Sequence, residues 1–197
     1  RFGDIRGIAM PGFARVDEVF MKLMPNLEIV ACFGVGYDGA DVEYAVKQGI
    51  AVTNTPDVLT NCVADLGMAL ILTTLRRVVS GDKYVRTGKW VSEGFMDLTD
   101  SPRGRNLGIV GMGRIGRELA KRAEAFGMAI SYHNRTKRDD VVYPYFSSIL
   151  QLANACDVLA LTCPGGDETR HLINGKILSA LGENGYLINI SRGSVVD

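Results

Sequence analysis

The chain has 197 residues, 47% of them hydrophobic, and its 22 basic side chains are balanced by 22 acidic ones. This length is sufficient for one large domain or two small ones, whose cores need no disulfide or metal for stability. Zero net charge argues against nucleic acid and against an anionic membrane surface as partners. The longest apolar stretch, residues 66–75, is far shorter than the roughly 20 residues that cross a bilayer.

The four cysteines are scattered, and no pair has the C-x-x-C spacing of a redox or metal site. No positively charged segment followed by an apolar one opens the sequence, as it would in a secretory leader. These features predict a soluble cytoplasmic protein with reduced thiols and no metal site.

Short apolar runs alternate with segments of helical periodicity, a pattern typical of a parallel α/β sheet. In the first third of the chain the pattern predicts strands at residues 7–10, 27–33 and 50–53, and helices at residues 14–24 and 41–49. The 3.6-residue spacing within the first helix predicts one buried face, formed by Val16, Val19, Phe20 and Leu23. Asp41 and Gly49 are suitable caps for the two ends of the second helix.

A helix at residues 61–79 is apolar nearly all round, which is typical of a helix buried between two layers or two domains. Residues 82–100 are more polar and less regular. They contain Trp90, which we interpret as a packing residue. The breaker sequence at residues 101–104 predicts a domain boundary.

After this boundary a second series of alternating elements begins. It comprises strands at residues 106–110, 128–133, 157–162 and 186–190, and helices at residues 114–126, 147–155 and 175–181. The predicted fold class is therefore α/β, with two doubly wound domains of Rossmann-like or flavodoxin-like type, each with a parallel sheet and each present in part.

The second series opens with a glycine-rich loop, Gly111-Met-Gly113-Arg-Ile-Gly116, between a strand and a helix. The first glycine permits a tight turn, the second lets the backbone approach a pyrophosphate, and the third lets the helix pack closely on the strand. The positive N-terminus of the helix then faces the phosphates. A tight turn without a ligand is the alternative, but the position of the loop favours a dinucleotide cofactor.

The end of the next strand discriminates between the two nicotinamide cofactors, because NAD sites place an Asp or Glu there to bind the ribose 2′-hydroxyl. Here the strand ends in Asn134-Arg-Thr-Lys-Arg138, with three cations, one hydroxyl and no carboxylate. A guanidinium can bind a 2′-phosphate through two hydrogen bonds. We therefore predict NADP(H), bound first by Arg135 and Thr136, with NAD(H) as the less favoured cofactor. A solvated basic loop is the alternative interpretation.

The sequence resembles the D-isomer-specific 2-hydroxyacid dehydrogenases, and within them the glyoxylate, hydroxypyruvate and hydroxyphenylpyruvate reductases. The motifs that carry the resemblance are Gly34-Val-Gly-Tyr-Asp38, Asn54-Thr-Pro-Asp-Val-Leu-Thr60, Val63-Ala-Asp65, the glycine-rich loop, Leu161-Thr-Cys-Pro164, Asn189-Ile-Ser-Arg-Gly193 and Val196-Asp197. Their order along the chain is that of the family. The resemblance implies a substrate-binding domain at residues 1–72, a connecting helix and linker at residues 73–102, and a dinucleotide-binding domain at residues 103–197.

By this resemblance the chain transfers a hydride between NADP(H) and a small 2-oxo or 2-hydroxy acid, with D stereospecificity. Arg192 is implied to be the catalytic arginine that holds the substrate carboxylate and the reacting carbonyl oxygen. The backbone amides of Val35 and Gly36 are implied to bind the carboxylate as well, and Gly34 stands where the family more often has serine. A homodimer is also implied, with the apolar helix at residues 61–79 in the contact.

The resemblance further implies which residues bind the cofactor. They are Thr60, Gly111, Gly113, Arg114, Ile115, Gly116, Asn134, Arg135, Thr136, Cys163, Pro164, Thr169 and Ile190. Among them, Thr60 is expected at the nicotinamide end, and Pro164 and Thr169 along the adenosine side. A helix-capping role is an equally compatible interpretation of Thr60.

The family's acid–base pair is a histidine oriented by a glutamate, and both follow the position of Arg192. Neither His133 nor His171 matches that histidine, so we expect the 197-residue polypeptide by itself to be inactive. The resemblance also implies that a segment of each domain lies outside this sequence, before residue 1 and after residue 197.

Two other functions stay open at this point. A nucleotide-sensing binding protein, similar to the transcriptional co-repressors on this scaffold, would retain Arg192 and the loop at residues 34–36. An enzyme that oxidises formate or phosphite would use the same fold. Such relatives prefer NAD, so the basic loop at Arg135 argues against them.

Overall fold

The computed structural model describes residues 2–11 and 14–197. Within them the chain forms two compact units, Arg1–Thr60 and Asn61–Asp197, and each contains a parallel sheet. The predicted α/β class with parallel sheets is thereby confirmed. In the part of the chain that the structure describes, no helix is long and apolar enough to span a membrane.

The first unit is built around a three-stranded sheet with the order β1-β2-β3, all parallel. Its elements are β1 (Gly7–Pro11), α1 (Glu18–Met21), β2 (Ile29–Phe33), α2 (Val42–Lys47) and β3 (Ala51–Thr53). Asp41 caps α2 by accepting a hydrogen bond from the N–H of Tyr44, and Gly49 follows the helix in the left-handed conformation, as predicted.

The predicted helix at residues 14–24 is much shorter in the structure. Only Glu18–Met21 is helical, because Val16 is held in a bridge to Ala40 and the side chain of Asp17 caps the helix by accepting from the N–H of Phe20. This shift also changes the buried face. Val16 is buried as predicted, but Val19, Phe20 and Leu23 are exposed, and the methionines Met21 and Met24 fill the core in their place.

The second unit is built around a four-stranded parallel sheet with the order β5-β4-β6-β7. Its strands are β4 (Asn106–Val110), β5 (Ala129–His133), β6 (Val158–Leu161) and β7 (Tyr186–Asn189). The helices that connect them are α6 (Arg114–Ala125), α7 (Ile149–Ala155) and α8 (Gly175–Leu181). The order reverses between β4 and β6, and in open α/β sheets ligands bind at the carboxyl ends of the strands beside such a reversal.

Two hydrophobic clusters cover the two faces of this sheet. α7 and α8 form the cluster on one face, and α6 packs on the other together with α3 (Thr60–Leu75). From α3, Ala64, Met68, Ile71 and Leu75 are buried in that cluster. The structure therefore divides the chain after Thr60, earlier than the predicted domain end at residue 72. The functional assignment of the two domains stays a prediction.

The predicted helix at residues 61–79 is two helices in the structure. α3 ends at Leu75, because Arg77 has a left-handed backbone (φ +47°), and α4 (Val78–Arg86) and α5 (Lys89–Glu93) follow. Every residue of α4 and α5 is exposed or half-buried. Trp90, interpreted as a packing residue, is 49% exposed and packs edge to face on Phe95, outside the core clusters of the described residues.

Candidate functional site

The glycine-rich loop joins β4 to α6 at the carboxyl edge of the second sheet. Gly111 has φ +104°, and a Cβ atom on it would lie 2.6 Å from the backbone nitrogen of Cys163. A Cβ atom on Gly116 would lie 2.5 Å from the carbonyl oxygen of Gly111, so the first turn of α6 packs directly on the loop. Gly113, in contrast, faces open space. The cradle therefore fits a pyrophosphate beside Gly113 and the positive end of the helix.

Asn134, at the end of β5, holds the glycine-rich loop in place. Its side-chain oxygen accepts a hydrogen bond from the N–H of Met112 at 2.7 Å, and the N–H of Gly111 donates to the carbonyl of His133. Asn134 thus stands where NAD sites place a carboxylate, and its amide oxygen is committed to the loop. The acidic group of NAD sites would repel a 2′-phosphate, whereas the neutral amide of Asn134 does not.

The basic segment after β5 is ion-paired rather than simply solvated. Arg135 and Thr136 are both exposed, and the Arg135 guanidinium lies 2.5 Å from a carboxylate oxygen of Glu168, a residue of the loop after β6. Arg138 pairs with Asp140, which also accepts from Arg117 of α6 at 2.6 Å. The segment at residues 134–138 contains no carboxylate itself, but Glu168 and Asp140 supply carboxylate partners to Arg135 and Arg138 from outside it. Hydrogen bonds from Arg138 and Arg117 hold the pKa of the Asp140 carboxyl well below its usual range.

The loop after β6 runs from Thr162 to Thr169 and packs against the glycine-rich loop. The hydroxyl of Thr162 donates to the carbonyl of Gly111 at 2.6 Å. Thr169, predicted to contact the cofactor, donates its hydroxyl to the carbonyls of Pro164 and Gly166 and so fixes the loop. Burial raises the pKa of the Cys163 thiol, which keeps the sulfur neutral beside the cradle.

The loop after β7 carries Arg192. The side chain of Asn189 accepts from the N–H of Ser191 at 2.9 Å and donates to the carbonyl of Arg192 at 2.8 Å. Ser191 in turn donates its hydroxyl to the carbonyl of Cys163, which joins this loop to the loop after β6. Arg192 is half-buried, and its guanidinium donates to the carbonyl of Ser191. Ile190 is also half-buried, and its N–H donates to the carbonyl of Leu161 at the end of β6.

Sequence reasoning missed Asn189 and Ser191 as the residues that position Arg192. The N-x-x-R spacing was available as a signal, since an Asn side chain commonly closes a turn by bonding the backbone two residues later. Glu168 carried no local signal. It lies 33 residues from its partner Arg135, and only the packing of two loops brings them together.

In the first unit, the predicted anion-binding loop follows β2. The N–H of Gly34 donates to the Thr55 hydroxyl, and the side chain of Asn54 donates to the carbonyl of Val35, so residues after β3 hold the loop. Gly34 has φ +148°, a conformation that disfavours the serine more common in the family. Within the described residues the N–H groups of Val35 and Gly36 make no hydrogen bond, which leaves both as donors for an anion.

Thr60 is the first residue of α3, and its N–H donates to the carbonyl of Asp57.

His133 and His171, the two histidines, already have partners. The Nδ1 atom of His133 lies 2.9 Å from the carbonyl of Phe146 and its ring stacks on Tyr145, whereas His171 lies 3.2 Å from the Asp197 carboxylate. The ring of His133 is therefore held at the end of β5 by Phe146 and Tyr145. Its position in the sequence does not match the family's proton-donating histidine.

Comparison with known proteins identifies the relatives of this chain. Residues 68–197 match the family model for the D-isomer-specific 2-hydroxyacid dehydrogenase, NAD-binding domain. The chain is 47% identical over 193 residues to a glyoxylate/hydroxypyruvate reductase A of Arabidopsis thaliana and 46% identical over 193 residues to a hydroxyphenylpyruvate reductase of Plectranthus scutellarioides. In both cases the match covers 98% of this chain and 61% of the relative.

A solved structure shows the same architecture. The NADPH-dependent glyoxylate/hydroxypyruvate reductase of Sinorhizobium meliloti, in complex with NADP and malonate, matches with a TM-score of 0.94 at 47% sequence identity. This match covers 98% of the present chain and 60% of that one, so the chain spans less than two thirds of the length of these relatives. Because the family model extends over most of the sequence, the chain belongs to the D-isomer-specific 2-hydroxyacid dehydrogenases.

Proposed function

We propose that the protein reduces a small 2-oxo acid of the glyoxylate and hydroxypyruvate type to the D-2-hydroxy acid with NADP(H). The relatives named glyoxylate/hydroxypyruvate reductase support this substrate class, and the NADPH-dependent reductase from Sinorhizobium meliloti supports the cofactor. One observation in this chain carries the cofactor assignment. β5 ends at His133, the next residue, Asn134, is bound to the glycine-rich loop through its side chain, and the exposed Arg135 follows.

NADP(H), when bound, supplies or accepts the hydride. The chain's own residues would bind and orient the reactants. Gly113 and the N-terminus of α6 would hold the pyrophosphate, and Arg135 with Thr136 the 2′-phosphate. Loop residues Cys163, Pro164, Thr169 and Ile190 would border the cofactor, with Thr60, Arg114 and Ile115 as further contacts.

On the substrate, Arg192 would hold the carboxylate and the carbonyl oxygen, where negative charge develops as the hydride arrives. Asn189 binds the backbone carbonyl of Arg192, and the guanidinium itself donates to the carbonyl of Ser191, so both ends of the residue are held at this loop. The N–H groups of Val35 and Gly36 are likewise proposed as donors to a substrate carboxylate. Neither described histidine is in this machinery, so the 197-residue polypeptide by itself is proposed to be inactive.

A homodimer and a cytoplasmic location are also part of this proposal. The apolar surface proposed for the dimer begins at the end of the helix predicted at residues 61–79 and continues over α4, α5 and the residues that follow. Its exposed side chains include Val79, Val91, Phe95 and Leu98. Cytoplasmic location is supported by the free thiols of Cys32, Cys62, Cys156 and Cys163.

The test of the cofactor assignment is a titration of the full-length gene product with NADPH and with NADH, followed by nucleotide fluorescence. We expect tighter binding of NADPH, and we expect Arg135→Gln to weaken NADPH binding about tenfold while leaving NADH binding nearly unchanged, because a charge-assisted contact to the 2′-phosphate is lost. Lys137→Gln, which removes a cation two residues away in the same exposed segment, is the matched control.

Equal losses in Arg135→Gln and Lys137→Gln would mean that only the general charge of the segment matters. Failure of the protein to bind either nucleotide would overturn the enzyme assignment and favour a different role for the scaffold. A protein that binds NADPH but does not oxidise it with glyoxylate or hydroxypyruvate would favour the nucleotide-sensing alternative.

A further inference from the structure

The Arg135–Glu168 ion pair is unusual because one of its partners is the arginine to which the 2′-phosphate is assigned. The Nη1 atom of Arg135 lies 2.5 Å from Oε2 of Glu168, and the two side chains are 83% and 81% exposed. Solvent exposure leaves the pair accessible to a ligand. It also means that the ion pair contributes little to the stability of the fold.

The two residues extend from different loops at the carboxyl edge of the sheet. Arg135 lies in the loop after β5, and Glu168 lies in the loop after β6. In the sheet, β4 lies between β5 and β6. The pair therefore bridges the strand from which the glycine-rich loop leaves. A nucleotide laid across that loop, with its ribose towards Arg135, meets the pair directly.

Both loops are anchored independently of the pair. The segment after β5 is held by Asn134 on Met112 and by the hydroxyl of Tyr132, which accepts from the N–H of Arg138. On the other side, the Thr169 hydroxyl closes the loop after β6 on the Pro164 carbonyl. Loss of the pair should therefore leave the loops in place and change only the charges presented to a ligand.

We propose that Glu168 is a specificity-determining residue that competes with the 2′-phosphate of NADP(H) for Arg135. A carboxylate and a phosphate both bind a guanidinium as anions, and Arg135 has one guanidinium to offer. When the phosphate takes Arg135, the Glu168 carboxylate loses its partner and repels the phosphate from nearby. NADH has no 2′-phosphate, so it does not require this exchange. Glu168 thus lowers the affinity for NADP(H) and reduces the ratio of the affinities for NADPH and NADH.

This inference rests on the proposed role of Arg135, and its test keeps the two apart. The dissociation constants of NADPH and NADH are measured by fluorescence titration for the full-length gene product, for Glu168→Gln, for Arg135→Gln and for the double variant. Asp167→Asn is the matched control, because Asp167 is one residue away, also exposed and, among the described residues, not paired with Arg135.

We expect Glu168→Gln to tighten NADPH binding about twofold to fivefold at low ionic strength, as suits an exposed pair. NADH binding should change little, and the gain should shrink near 1 M salt, where the screening length falls to about 3 Å. In the Arg135→Gln background the second substitution should have a much smaller effect, because the competed cation is gone.

Three results would overturn the inference. Unchanged or weaker NADPH binding in Glu168→Gln, with a clear loss in Arg135→Gln, would assign Glu168 to the positioning of Arg135 instead. If Glu168→Gln tightened NADH binding as much as NADPH binding, or if Asp167→Asn tightened NADPH binding equally, the effect would come from the net charge of the loop and not from competition for Arg135. If Arg135→Gln leaves NADPH binding unchanged, the proposed role of Arg135 itself is wrong and this inference falls with it.

Discussion

At the scale of single residues, the three glycines of the loop after β4 are needed for different physical reasons. Gly111 combines a left-handed backbone with a close approach to Cys163, and Gly116 is pressed against the Gly111 carbonyl. Gly113 has an extended backbone and open space beside it. Two of the glycines are therefore required by the fold, whereas Gly113 is the one proposed to make room for the ligand.

This difference predicts opposite behaviour of two alanine variants. Gly116→Ala should lower the free energy of unfolding by about 1–3 kcal/mol, because the added methyl group has no room in a packed site. Gly113→Ala should unfold at nearly the same urea concentration as the parent protein, yet bind NADPH markedly more weakly, because its methyl group occupies the space in front of the cradle. Urea unfolding and nucleotide titration of both variants provide the check.

Each variant is the control for the other. If Gly113→Ala unfolds as early as Gly116→Ala, the space beside Gly113 is not the open surface that the structure shows. If Gly113→Ala binds NADPH normally, the pyrophosphate does not lie on this loop.

At the scale of the elements, Asp140 connects the segment after β5 to helix α6. Its carboxylate accepts from Arg117 on the helix and from Arg138 on the segment. Because the pKa of Asp140 is lowered by these hydrogen bonds, the carboxylate stays charged at pH values where an ordinary aspartate begins to take up a proton. The stabilisation is present above the ordinary pKa of about 4 and is lost only as the pH falls towards the lowered value.

We expect Asp140→Asn to melt at a lower temperature than the parent protein at pH 7, and the difference to persist nearly unchanged down to about pH 5. Thermal unfolding followed by circular dichroism across this range measures it. Asp139→Asn serves as the comparison, since Asp139 is exposed and adjacent but does not pair with either arginine among the described residues. Equal effects of the two substitutions would contradict a specific role for Asp140.

At the scale of the whole molecule, the segment from α4 to Leu98 carries several exposed apolar side chains. Val91, Phe95 and Leu98 are 89%, 87% and 97% exposed and lie close together in sequence. Such a cluster is more typical of an interface than of free surface, whereas single exposed apolar residues are ordinary.

If this segment forms the homodimer contact, Phe95→Glu should weaken self-association at least about thirtyfold, the effect of a central interface side chain worth about 2 kcal/mol. Sedimentation velocity of the full-length gene product over a range of concentrations measures the change. Val142→Glu is the control, because Val142 is also almost fully exposed but lies outside the segment. A Phe95→Glu variant that associates like the parent protein would exclude this surface as the contact.

Much of the fold could be predicted because its signals are local. The strands of the second unit deviate from the predicted ranges by only a residue or so, since each is a short apolar run between turn residues. The helix near residue 20 was misjudged because a bridge to Ala40 and the Asp17 cap, both set by tertiary context, override its periodicity. The break after Leu75 was missed because the left-handed backbone of Arg77 has no sequence signature.

The sequence by itself determined the α/β class, the glycine-rich loop and the neutral Asn134 where NAD sites have an acidic residue. These features depend on neighbours within a few residues. Only the tertiary structure decided which charges meet. Arg135 and Glu168 are 33 residues apart, and Arg117 and Asp140 are 23 apart, yet each pair is in contact. The physical reason is that parallel strands deliver loops from distant parts of the chain to one edge of the sheet, where side-chain pairing follows strand order rather than sequence.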